Sequence, residues 1–232
     1  MSTNGSKTLL QLGGIGGIIG GVFLAVAYGL LYPPHTCCTD EFFRELPQFF
    51  ARWLIHEVLL ISGWALTIPL FLSLYTSLKP ASPRAALLCA VFGIFAAGIA
   101  SVGLALGVPL QLALANVYAH AADADKATVI TVAKAVQGSA AAGLPLLFLS
   151  LPVAFLAVAS GALRSAAFHK RQAWTSVILA AISIVAVPVS GILMFLQVPF
   201  FYAIIIVPPI VWFIFQGLSV YLISRQEDRR PR

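Results

Sequence analysis

Residues Leu9 to Tyr32 read LLQLGGIGGIIGGVFLAVAYGLLY, an apolar run without one charged side chain. A bilayer crossing needs about 20 mainly apolar residues, and this run reaches that length before Pro33-Pro34 ends it. Lys7 ahead of the run and Ala25-Val26-Ala27 within it resemble a secretory signal. The apolar region of such a signal is only about 7–15 residues long, so the run is expected to remain as a membrane helix. Five further runs follow the same pattern, which places spans at about 9–32, 54–78, 85–108, 140–163, 173–196 and 200–223. The expected fold class is therefore all-α: a polytopic membrane protein whose single domain, 1–232, is a bundle of six transmembrane helices.

Composition agrees. Hydrophobic residues make up 60% of the chain and charged residues 9%, with a mean hydropathy of +0.96. Soluble domains carry about 25% charged residues, so the chain cannot cover a water-exposed surface. Disorder is excluded as well, because it needs low hydrophobicity and high charge. The net charge of +6 is explained by topology. With both termini inside, the inner segments hold ten basic residues: Lys7, Lys79, Arg84, Arg164, Lys170, Arg171, Arg225, Arg229, Arg230 and Arg232. The outer segments hold four, Arg44, Arg52, Lys126 and Lys134. Cytoplasmic loops collect Lys and Arg, so both termini are expected to be cytoplasmic, with the chain in the plasma membrane. The bilayer is the first partner, the basic tail lies against anionic headgroups, and nothing points to nucleic acid.

Runs three and four are too long for a single crossing. A helix over Ala85–Ala119 would reach about 50 Å at ~1.5 Å per residue, against a hydrocarbon core of about 30 Å. Helices three and four are therefore expected to project outward as a hairpin turning near Ala121–Asp125, with Asp123 or Asp125 capping helix four. In the other outer segment Thr39 reads as an N-cap followed by the first-turn acids Asp40 and Glu41. Phe42, Phe43 and Leu46 share a face, and Pro47 breaks the run. A short amphipathic helix on the outer leaflet is expected there, with an aromatic belt as the plainer alternative.

Gly13, Gly17 and Gly21 are spaced four apart in helix one, as are Gly103 and Gly107 in helix three. Small residues at that spacing let membrane helices approach closely, so these five are expected to be packing positions, inside the chain rather than between subunits. Prolines at 69, 109, 145, 152, 188, 208 and 209 punctuate the spans. Broken helices can mark transport sites, but membrane bundles tolerate them generally, and no inverted repeat is visible.

Glu57 is the only acid inside a span, and His56 precedes it. An ionisable group within a membrane is a functional candidate by default; near the first turn of its helix it also complements the dipole. Gln111 and His120 lie toward the same side, so a polar cavity could use His56, Glu57, Gln111 and His120 together. In the loop before helix two, His35, Cys37 and Cys38 could hold a soft metal such as copper. The two thiols could instead form a strained or intermolecular bridge, or serve no defined role. Cys89 reads as packing. The sequence offers no Cys-x-x-Cys, no phosphate loop, no lysine in a span for a Schiff base, no pair of intramembrane histidines for haem, and no placeable catalytic triad. No cofactor is indicated.

The glycine-rich first helix, Leu66-Thr67-Ile68-Pro69-Leu70, Asn116-Val117-Tyr118-Ala119, the Ala/Asp-rich turn 121–126, Trp212 and Gly217 together resemble a domain-of-unknown-function family (number four-three-eight-six) of small prokaryotic six-helix membrane proteins. The resemblance implies the topology and supplies no catalytic residue. Two function classes follow from the sequence. One is a non-catalytic integral membrane protein, an accessory subunit or a binder of lipid or an apolar ligand, acting with other membrane subunits or as a homo-oligomer. The other is a small transporter or membrane enzyme using an outer-facing cavity with Glu57 and His56. Burial of Glu57 separates them, because a carboxylate facing bulk water would remove the second.

Overall fold

The computed structural model describes residues 3–32, 38–141, 144–195 and 201–227. They form seven helices: α1 (Thr3–Leu30), α2 (Asp40–Leu78), α3 (Pro83–His120), α4 (Asp123–Ala141), α5 (Leu144–Ala162), α6 (Lys170–Phe195) and α7 (Phe201–Glu227). No strand occurs among the described residues. Five helical segments are long and apolar enough to cross a membrane: Lys7–Leu30, Asp40–Leu78, Pro83–His120, Lys170–Val189 and Ile204–Gln226. A shorter apolar helix covers Leu146–Ala162. This is the architecture of a multi-pass helical membrane protein.

The contacts close into a ring. α1 lies between α2 and α7, and α3, α5 and α6 complete the circuit from α2 round to α7. α2 also reaches across to α5 and α7. At the centre the Trp212 ring lies between Phe155, 4.2 Å away, and Phe71, 5.8 Å away, nearly parallel to both. Gly93 of α3 makes room for Phe71, since a Cβ there would sit 2.1 Å from its ring.

In lipid the hydrophobic drive between helices is lost, and close packing takes its place. The glycines of α1 supply that packing on two faces. A Cβ at Gly20 would lie 2.7 Å from the Gly63 carbonyl oxygen of α2, and one at Gly16 would lie 2.6 Å from the Leu66 carbonyl oxygen. On the α7 side, Gly14 and Gly217 approach backbone to backbone, and Gly17 and Gly21 meet Phe213, Ile214 and Ile210. Gly13 faces Ser73, whose hydroxyl lies 2.7 Å from the Leu9 carbonyl oxygen and 2.8 Å from that of Pro69. The glycine strip of α1 is thus filled by its own chain, which excludes a subunit contact along it. Gly103 and Gly107 differ: among the described residues no atom lies within 4 Å of a Cβ built at either. The close contact on α3 is made about three to four turns nearer its start, by Gly93.

The hairpin is present. α3 ends at His120, residues 121–122 make the turn, and α4 runs back along α3. Helix four begins at Asp123, and its first bonds go from Asp125 and Lys126 N–H to the Ala122 carbonyl. Asp123 and Asp125 therefore stand in the first turn rather than at the cap, and Asp123 accepts from Lys126 Nζ at 2.7 Å.

The short helix expected before span two is present. Thr39 caps it, its hydroxyl oxygen accepting from Phe42 N–H at 3.1 Å. A proline inside a helix loses one bond and clashes with the carbonyl four residues back, and just after Pro47 the backbone leaves helical values at Phe49 (φ −119°, ψ 16°), so this helix joins the rest of α2 across a kink. What is corrected is its placement, because its apolar face is not left for lipid. Cys38, Phe42, Phe43, Leu46 and Trp53 pack with Tyr118, Val129 and Ala133 of the hairpin in a second hydrophobic cluster. Phe43 stacks on Tyr118 at 5.2 Å, and the Tyr118 hydroxyl donates to Asp40 Oδ1.

These contacts predict opposite signs for one substitution at two glycines. Alanine is favoured over glycine in a helix by about 1 kcal/mol, whereas overpacking costs about 1–3 kcal/mol. Gly103→Ala should leave stability unchanged or raised, and Gly20→Ala should lower it. Thermal unfolding of both variants in the same detergent checks the pair.

Candidate functional site

One stripe of α2 faces the bundle: Trp53, His56, Glu57, Leu60, Gly63, Trp64 and Thr67 are all buried. These residues recur three or four apart, the spacing of one helix face. The charged pair therefore lies on the packed side of the helix and not on its lipid side. His56 is 4% exposed and Glu57 9%. Glu57 does not face bulk water, so the reading that depends on its burial survives.

His56 Nδ1 lies 3.5 Å from Glu57 Oε1. Among the described residues neither nitrogen of the imidazole has a hydrogen-bond partner. Two tyrosine rings from α1 and its exit close around the imidazole, Tyr28 at 6.1 Å and Tyr32 at 5.9 Å, each almost perpendicular to it. Tyr32 is held in place from outside. Arg52 Nη2, one turn before His56, donates to the Tyr32 carbonyl at 2.8 Å and to the Leu30 carbonyl at 3.3 Å. The guanidinium thereby caps carbonyls that the end of α1 leaves without helical partners. A buried polar atom without a partner is uncommon in a native fold and often marks a functional position or a bound species. Two on one imidazole, beside a buried carboxylate, make this the strongest site candidate in the chain.

Of the four residues expected to share a cavity, His56 and Glu57 stand together and His120 lies in a different cleft. His120 is exposed, its Nδ1 2.8 Å from the Asn116 carbonyl oxygen. It lines an open cleft at the hairpin tip with Asn116, Val117, Ala121, Asp125 and Val129. The reason is helical rise: α3 stays helical past Pro109, so His120 lies about 13 Å farther along the axis than Gln111. Gln111 is half-buried, and its Oε1 has no partner. At the tip, Lys126 also approaches the Tyr118 ring, 5.5 Å from its centroid, and its hydrogen bond and charge hold the Asp123 carboxyl below the usual range.

Of the candidate metal ligands, His35 and Cys37 lie outside the described residues. Cys38 is buried in the second cluster at a left-handed φ of 71°. Among the described residues no three His, Cys, Asp or Glu side chains come together.

A further polar node was not anticipated. Ser176 Oγ accepts from Trp212 Nε1 at 3.0 Å and from Gln216 Nε2 at 2.9 Å, all three side chains being fully buried. Gln216 was visible in the sequence as a polar residue within an apolar run, but its partner lies 40 positions away.

The chain matches no family model, no curated protein and no solved structure.

The Ser176 node generates a stability prediction. Ser176→Ala leaves two buried donors without an acceptor, and each unsatisfied group costs about 1–3 kcal/mol. The loss should exceed the ~0.6 kcal/mol average for hydrogen bonds between membrane helices. Ser160→Ala, at an exposed serine bonded only within its own helix, should stay within about 0.5 kcal/mol. Parallel unfolding measurements compare the two.

Proposed function

We propose that this chain is a non-catalytic integral membrane protein that holds an exchangeable proton or a small polar ligand at the His56–Glu57 pair. One observation carries the reading: an imidazole 4% exposed, neither nitrogen hydrogen-bonded among the described residues, 3.5 Å from a buried carboxylate. An ionisable pair within a membrane span is costly, and such pairs are found on ion and proton pathways. No nucleophile stands beside the pair among the described contacts, so the reading is binding rather than covalent chemistry.

The topology proposed with it has six crossings. Leu146–Ala162 rises about 26 Å, close to the hydrocarbon thickness of about 30 Å, and is the sixth span. Six crossings put both termini on one side, and the ten-to-four distribution of basic residues makes that side cytoplasmic. The pair and the hairpin then face the outside of a prokaryotic plasma membrane. Membership of the six-helix family of unknown function fits this topology.

A second reading, an accessory subunit, is favoured by α3. None of its described residues between 98 and 117 is buried, and Val102, Leu106 and Leu110 are exposed beside the open Gly103 and Gly107. A polypeptide retained in native mass spectrometry of the gently extracted protein would favour that reading.

A membrane-soluble carbodiimide, which modifies protonated carboxyl groups, tests the primary reading on the protein in liposomes. Glu57, buried in the bundle, should be labelled faster than the exposed Asp123 by this reagent and slower than Asp123 by a water-soluble carbodiimide. Labelling of Glu57 no faster than that of Asp123 by the membrane-soluble reagent would remove the site.

A further inference from the structure

The pair has a charge requirement. A carboxylate buried without compensation is strongly unfavourable, and Glu57 is 9% exposed. The positive charge can come from a proton on the pair, shared with His56. Among the described residues, the titratable groups facing the imidazole are Glu57 on α2, and Tyr28 and Tyr32 from α1 and its exit, with Arg52 the nearby charged group on α2. Arg52 is exposed and directed to the carbonyls of Leu30 and Tyr32, so it does not neutralise Glu57. When the proton leaves, some other single positive charge must enter.

We infer that the His56–Glu57 site takes a small monovalent cation in exchange for its proton. This deepens the reading above and rests on it. The donor set is one carboxylate, one imidazole and the flanking tyrosines. One carboxylate carries one negative charge, so it suits a single positive charge better than a divalent ion, which is usually held by more anionic oxygens or by several His and Cys ligands. Anions are disfavoured by the carboxylate itself. Size is limited by Tyr28 and Tyr32, whose rings already contact the imidazole at about 6 Å. An alkali ion and a protonated small amine share this chemistry, and aromatic rings accept either cation.

The test is solid-state NMR of the full chain in liposomes, labelled with ¹⁵N-histidine. The His56 signal is assigned by its loss in His56→Asn. Its protonation is followed against pH in sodium, potassium or methylammonium chloride, with N-methylglucamine chloride, too bulky for the site, holding ionic strength constant. The expected result is a His56 midpoint that falls as the small cation is raised, by up to about one pH unit per tenfold once the site fills. The midpoint of the exposed His120 should not follow. Which salt moves His56 identifies the alkali ion or the amine. The cation effect should vanish in Glu57→Gln; should that variant fail to fold, the wild-type comparison against N-methylglucamine decides alone. A His56 that changes with pH but ignores every small cation overturns this inference and leaves the proton-holding reading standing. A His56 whose signal responds to neither pH nor cations overturns both.

Discussion

The close approach of α1 to α2 is the constraint on which the rest depends. With Gly20 and Gly63 in backbone contact and Gly16 against the Leu66 carbonyl, the two helices lie nearer than side chains would allow. Near their common end, the same approach brings Tyr28 and Tyr32 onto the His56 ring. The glycines are therefore more than packing devices. They press two aromatic rings onto the ionisable pair that the bundle buries. Arg52 completes the arrangement by bonding the end of α1 to α2.

The second consequence is a division of labour along α2. Its 39 residues rise about 58 Å, roughly twice the hydrocarbon thickness. The half toward Leu78 builds the main core around Phe71 and Trp212. The half toward Asp40, bent at Phe49, builds a separate cluster with the α3–α4 hairpin. His56 and Glu57 stand between the two, and so do the rings that cover them.

Local signals in the sequence were sufficient for features set by local physics. The length of run three against the bilayer thickness required the hairpin, and the Ala/Asp-rich stretch located its turn. Thr39 was legible as a cap because capping is decided within three residues. The filled face of α1 was legible because glycine spacing of four has few other uses in a membrane helix. What failed was whatever depended on a distant partner. Pro47 does mark a break, but nothing local announces that Tyr118, Val129 and Ala133, rather than lipid, will cover Phe42 and Phe43. Gly103 and Gly107 carried the same spacing as Gly17 and Gly21 but found no described neighbour. His120 shared a side of the bilayer with Glu57, but a shared side does not bring two residues together, and His120 is exposed in a different cleft. Ser176 gave no sign that it would bridge Trp212 and Gln216.

The central claim is that α1 seals His56 within the bundle. Modification by diethyl pyrocarbonate, read residue by residue by mass spectrometry on the protein in liposomes, tests it most directly. The exposed His120 and His169 serve as internal references. The account predicts that His56 reacts far more slowly than both, and that Gly20→Ala, by loosening α1 from α2, speeds its reaction without changing theirs. Modification of His56 at the rate of His120 in the unaltered protein would contradict it.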